Sequence, residues 1–278
     1  MTKTTKVFAA LCLGGALAVS AASAVAHEMF LKPARFDLAP GSTAVIALFN
    51  GTIDKSENPI TRDRMKTVSV MAGGKVTTPD PSQWRDDTVT SYLDLTVGAP
   101  GTYVVGVSTA PRIIQLSADN FEEYLRHDGI EDTLKARQAE KVARTPVRER
   151  YSKHVKTIVQ VGETQTDDYA RPLGFPAEIL LSRNPAAVKV GETLQFQALI
   201  KGQPMAGQLV YASFEGFQGE VPGGGAGRAV KLRTDAAGKA SFKVTQAGRW
   251  FVTLINMQKA TGDATYESNW STVTFQIH

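Results

Sequence analysis

Histidine is scarce in this chain, four in 278 residues, and one of the four stands where its chemistry is unusual. His27 follows Ala24-Val25-Ala26, a small-x-small cleavage signature. Upstream, Lys3 and Lys6 form a charged start and Val7 to Val19 an apolar core, so residues 1–26 read as a secretory signal and cleavage is expected after Ala26. A mature chain beginning at His27 offers its α-amine, of pKa about 7.7–8.0, together with the ring Nδ1 of the same residue. Such a pair is a ready chelate for nickel, cobalt, copper or zinc.

The other histidines differ in setting. His154 falls in a run in which Val155, Thr157, Val159 and Val161 share one face of a strand, which puts His154, Lys156, Ile158 and Gln160 on the other. That position suits a satisfied or surface residue. His127, beside Asp128-Gly129 at the end of a helical pattern, suits a cation at a helix C-terminus, and His278 is the last residue.

What the chain lacks narrows its chemistry. Cys12, the single cysteine, lies inside the signal, so the mature chain has no thiol nucleophile, no disulfide framework and no cysteine metal site. His27-Glu28 is not followed by the second histidine of a zinc helix, and no G-x-S-x-G elbow occurs. The glycine-rich run Pro222 to Gly227 lacks the Lys-Ser/Thr of a phosphate loop. No pair of carboxylates is spaced for acid–base work, so no enzymatic step is expected.

The net charge of +4 includes Lys3 and Lys6, and losing them leaves +2, too little to call for nucleic acid. Basic residues crowd locally: Lys135, Arg137, Lys141, Arg144, Arg148, Arg150, Lys153 and Lys156 face only Glu140 and Glu149, which reads as a solvated helix face and its exit loop. No later run of the mature chain is long and apolar enough to span a membrane.

The elements that must position these residues are mostly strands, because the dominant hydrophobic period is two. Strands are expected at Thr43–Phe49, Lys66–Met71, Thr88–Val97, Thr102–Ser108, Pro111–Leu116 and Tyr151–Val161. Two helices interrupt them at about 119–143: one capped by Asp119 with Glu122 and closed near Gly129, the next from about Glu131 to Ala143. After a polar linker, Gly162 to Pro176, seven more strands are expected: Ala177–Leu181, Thr193–Ile200, Gln208–Phe214, Ala229–Arg233, Lys239–Val244, Arg249–Met257 and Trp270–Ile277. The expected organisation is all-β in the main: a β-rich domain over 27–165 with a short helical insertion, and an immunoglobulin-like β-sandwich over 172–278, able to fold alone.

Several segments together resemble one group of secreted bacterial proteins. They are His27-Glu28-Met29-Phe30-Leu31-Lys32-Pro33, Ala118 to Arg126, Arg150 to Lys156, Pro172-Leu173-Gly174-Phe175-Pro176-Ala177-Glu178-Ile179, Asn184-Pro185, Gly248-Arg249-Trp250 and Tyr266-Glu267-Ser268. The group is a periplasmic nickel/cobalt-uptake accessory family carrying a domain of unknown function. The resemblance implies a periplasmic protein that binds a divalent transition metal, nickel or cobalt first, and hands it to an outer-membrane receptor or inner-membrane permease. It implies His27 as the primary ligand, and His154 and Glu267 are the candidates for completing the site. Asn256 stands where relatives are expected to carry histidine, so it is the weakest of the four donors. Two other classes remain open: a β-sandwich module for a protein or glycan, contacting it through Trp250, Trp270 or Phe217, and a copper enzyme built on the N-terminal histidine.

Overall fold

The computed structural model describes residues 28–140, 144–217 and 230–278. His27, the cleavage site, Cys12 and the Pro222–Gly227 run lie outside them. In chain order the strands are β1 (Glu28–Pro33), β2 (Asp37–Leu38), β3 (Thr43–Gly51), β4 (Met65–Ala72), β5 (Lys75–Thr77), β6 (Trp84–Asp86), β7 (Ser91–Thr96), β8 (Gly101–Thr109) and β9 (Arg112–Leu116). Helices α1 (Ala118–His127) and α2 (Glu131–Ala139) follow, then β10 (Val147–Val161), β11 (Ala177–Leu181), β12 (Thr193–Ile200), β13 (Gln203–Pro204) and β14 (Leu209–Phe214). The last four are β15 (Val230–Arg233), β16 (Lys239–Lys243), β17 (Gly248–Lys259) and β18 (Tyr266–Ile277). The chain is mostly β, with sandwich-like packing of sheets.

A ten-stranded sheet runs through the middle in the order β15-β14-β17-β18-β10-β8-β4-β5, with β2 and β9 also on β10. A front sheet, β1-β3-β7-β6, packs on one face; there Leu31, Ile46, Leu48 and Leu93 meet Val105, Val107, Val155 and Val159. A rear sheet of β11, β12, β13 and β16 packs on the other; there Ile179, Leu194, Phe196 and Phe242 meet Trp250, Val252, Val273 and Phe275. Valines alternate with other residues along β8 and β10 because both faces of a central strand must be covered, each by a different sheet.

The expected boundary between the halves falls in the β10–β11 connection, but the central sheet crosses it. β10 and β18 pair in parallel from Glu149↔Tyr266 to Thr157↔Thr274. The polar segment read as a linker is also tied down: buried Asp168 accepts from the amides of Gly73 (2.9 Å) and Gly74 (2.7 Å). Further along, Glu178 accepts from the amides of Leu173, Gly174 and Phe175, at 2.8 to 2.9 Å. This loop lies on β8 at Gly106, where an added Cβ would run into Leu173 and come within 2.9 Å of Phe175.

The insertion starts earlier than expected, because Ser117 rather than Asp119 is the N-cap; its side chain accepts from Asn120 N at 3.2 Å. Gly129 takes φ +68°, the left-handed turn that ends a helix. Phe121 and Tyr124 of α1 lie on Tyr266 and Trp270 of β18, with ring centroids 5.3 and 6.3 Å apart. The helices thereby cover the end of the central sheet that the front sheet leaves open.

The crowded basic residues do not form one face. Arg137, Lys153 and Lys156 are buried, while Arg144 pairs with Asp119 and Arg150 with Asp263. Carboxylates distant in sequence supply the counter-charge that is missing locally.

Candidate functional site

Both faces of β10 are covered, so its polar side chains end in two buried groups, one on each side. On the front side are Glu149 and Lys153. Glu149 Oε1 accepts from Tyr124 Oη (3.0 Å) and from Ser268 Oγ, and Trp270 Nε1 donates to the same Ser268 oxygen at 3.2 Å. Its Oε2 is buried without a partner. Burial pushes the carboxyl up to about 7.

Lys153 Nζ lies 5.0 Å from the Trp270 ring and 5.9 Å from that of Tyr151, and donates to Asn50 Oδ1 at 3.4 Å. Burial drops its ammonium to about 8, opposed by the charges of Asp128, Glu28 and Glu149. Glu28, the first residue of β1, pairs in register with Gly51 and is itself buried. The start of β1 thus enters a charged, largely desolvated corner.

On the rear side are His154, Lys156 and Gln160. Lys156 Nζ donates to Glu178 Oε2 at 2.9 Å, completing the shell of the carboxylate already held by three backbone amides. His154 is 1 % exposed, with Nδ1 2.9 Å from Ser108 Oγ and Nε2 3.1 Å from Asn269 Oδ1. Because Asn269 presents an oxygen, Nε2 carries the proton and Nδ1 accepts from the serine hydroxyl. Burial pushes the ring down to about 4, so it is neutral at pH 7. Serine, histidine and asparagine in a row have the composition of a nucleophile relay, but all three are buried, so the row ties β8, β10 and β18 together.

Of the four residues expected to hold a metal, three are among the described residues. His27 is outside them. His154, Glu267 and Asn256 lie on one face of the central sheet, since Asn256 pairs in register with Asn269 and Glu267 stands two residues before it. Each is engaged elsewhere: Glu267 with Arg150 (3.4 Å), Asn256 Nδ2 with Gln208 Oε1 (2.9 Å) and His154 on both ring nitrogens. Glu28 neighbours Lys153, whose side chain leaves β10 on the face opposite His154. No group of three or more His, Cys, Asp or Glu side chains is gathered as a metal cage among the described residues. His127 Nδ1 bonds to Asp128 Oδ1 at 2.8 Å, and His278 pairs with Asp37 rather than trailing free.

Trp250 and Trp270 are core, leaving Phe217, edge-on to Phe214, as the more accessible of the three aromatics considered for a partner. Among the described residues no helix is long and apolar enough to cross a membrane. Glu149 escaped the sequence reading because arginines flank it; the signal that could have found it is its period-two alignment with Val147, Tyr151, Lys153 and Val155.

No curated protein matches the chain. Among solved structures, the D0-D1 domain of intimin is 12 % identical with a TM-score of 0.21, over 88 % of this chain and 96 % of that one. Murine CEACAM1b is 8 % identical with a TM-score of 0.21, over 90 % and 99 %. A DUF4785 family protein from Legionella pneumophila is 9 % identical with a TM-score of 0.22, over 80 % and 50 %. At such scores the fold description rests on the sheets themselves. Residues 24–258 match the model of the family described as Domain of unknown function (DUF4198), and the chain belongs to that family.

Proposed function

We propose that this is a periplasmic accessory protein that captures a divalent transition metal, nickel or cobalt, through the amine and ring of an N-terminal His27 and passes it to a membrane receptor or permease. The reading is supported by the way the chain leaves that residue. β1 begins at Glu28, which is paired with Gly51 and buried near the Lys153 ammonium. A six-membered amine–imidazole chelate comes from one residue and needs no convergence of distant side chains. His154, Glu267 and Asn256 would complete the coordination only by giving up their present partners.

Calorimetric titration with Ni(II), Co(II) and Cu(II) tests this on protein beginning at His27, on the same protein with Gly-Ser in front, and on His27→Ala. Blocking the amine or removing the ring should each weaken binding at least tenfold, ~1.4 kcal/mol. His154→Ala and Glu267→Ala should lose less. Equal affinity in the first three proteins rejects the His27 chelate, and a mature terminus other than His27 by intact mass removes its basis.

A further inference from the structure

Glu149 is a buried acid whose two oxygens are treated differently. Oε1 takes donors from two elements, Tyr124 on α1 and Ser268 on β18, while Oε2 faces no donor. Oε2 has no hydrogen-bond partner, so a carboxylate here buries a charge with one oxygen unsatisfied, whereas a neutral carboxyl keeps Oε1 as acceptor and leaves only an uncharged hydroxyl unpaired, the smaller cost. The bond to Tyr124 joins the sheet to the helical insertion. Otherwise α1 and α2 are held by the aromatic packing on β18, by a bond from Tyr211 Oη to Gly129 O (3.0 Å), and by peripheral ion pairs such as Asp132–Arg233 (2.8 Å) and Glu140–Lys259 (2.7 Å).

We propose that Glu149 is a proton-dependent latch: its neutral carboxyl clamps α1 to β10 and β18, and release of the proton to solvent frees the α1–α2 hairpin from the sheet. The groups around it fix the direction. From the α1 side come Tyr124 and Asp128, from β10 Lys153 and Tyr151, and from β18 Tyr266, over which α2 lays Arg137; Glu28 of β1 and Arg64 act on it through Lys153. Burial, and after it the like charge of Asp128, oppose ionisation and outweigh the hydrogen bonds from Ser268 and Tyr124 and the counter-charge of Lys153, which favour it. Tyr124 is held well above its ordinary range by burial and stays a donor, and Lys153 loses its proton only near 8. The carboxyl of Glu149 therefore changes state first, near 7. The closed hairpin is favoured at low pH and loses that support as pH rises through this value. The inference does not depend on the metal reading.

Hydrogen exchange of the full chain, corrected for the intrinsic rate, reads the latch directly. Protection of residues 118–139 should fall at least tenfold between pH 6 and pH 8.5 while that of β12 and β17 holds. Glu149→Gln, which keeps an acceptor for Tyr124 and Ser268 but cannot ionise, should show no such fall. His127→Gln should behave as wild type, which separates the effect from the imidazole on Asp128. An infrared band of a protonated carboxyl in the wild-type protein should disappear with the same midpoint, a readout that stands even if Glu149→Gln does not fold. Wild-type protection that is flat with pH, a fall that persists in Glu149→Gln or is removed by His127→Gln, or a carboxyl titrating below pH 5.5 overturns the proposal.

Discussion

The two faces of β10 solve the same problem differently. Behind the strand, Glu178 receives Lys156 and three backbone amides, and His154 is bonded at both ring nitrogens. In front, Glu149 keeps an oxygen without a donor, and Arg137, stacked 5.1 Å from the Phe121 ring, keeps a buried Nε without an acceptor. A fully satisfied network fixes one arrangement, because every alternative breaks bonds that water cannot replace. A partly satisfied one leaves a second arrangement close in free energy. The rear of β10 is thus the joint of the molecule, and the front is where movement is expected.

The sharpest way to break this comparison is to cut the joint. Glu178→Ala leaves the Lys156 ammonium buried without its counter-ion and should cost about 3–5 kcal/mol in urea unfolding, while the double change Lys156→Met with Glu178→Leu should recover most of it. A single-mutant cost below ~1 kcal/mol would show that the rear network is no more committed than the front.

The front face is tested by Glu149→Gln. Its folded-state pKa is raised from 4.5 to about 7, so the acid supports the fold fully below 4.5 and that support is lost as pH rises through 7. The amide should leave stability unchanged at pH 4.5 and raise it at pH 8.5 by on the order of 3 kcal/mol. An unchanged difference between the two pH values would contradict the assignment.

His154 has the opposite sign. Its folded pKa is lowered from 6.5 to about 4, so its contribution is present above 6.5 and lost as pH falls through 4. His154→Gln should remove about 2 kcal/mol of the stability lost between pH 7 and pH 4.5, read from denaturant curves at each pH. If the acid sensitivity is retained in full, other groups set it.

How much of this was legible depended on whether the cause was local. β12 was expected and found at Thr193–Ile200, because buried and exposed positions alternate along it and turn residues follow it. β1 was missed: Met29, Phe30 and Leu31 are consecutive and all buried, so the segment has no alternation to read. β10 was expected from Tyr151 and begins at Val147, since Arg148, Glu149 and Arg150 read as a polar loop until their partners on β9 and β18 are known. Ser117 and Asp119 were both competent caps, and composition alone could not choose between them. For His154, only the side of the strand could be inferred. That a second sheet buries it, and that Ser108 and Asn269 occupy its nitrogens, follows from pairing between segments far apart in sequence.

The parallel pairing of β10 with β18 also sets an order of events. Glu149 meets Tyr266 and Thr157 meets Thr274, so the middle of the central sheet joins segments 117 residues apart in sequence. A ribosome that has made β1 through β10 has produced a strand that can pair with β8 and β9 while its β18 side stays open. Contacts of such sequence separation are slow to form, and the waiting edge is open to wrong partners until they do. β18 therefore acts as the bolt of the fold: chains lacking Tyr266–Ile277 lack the strand that joins both halves, whatever core each half retains.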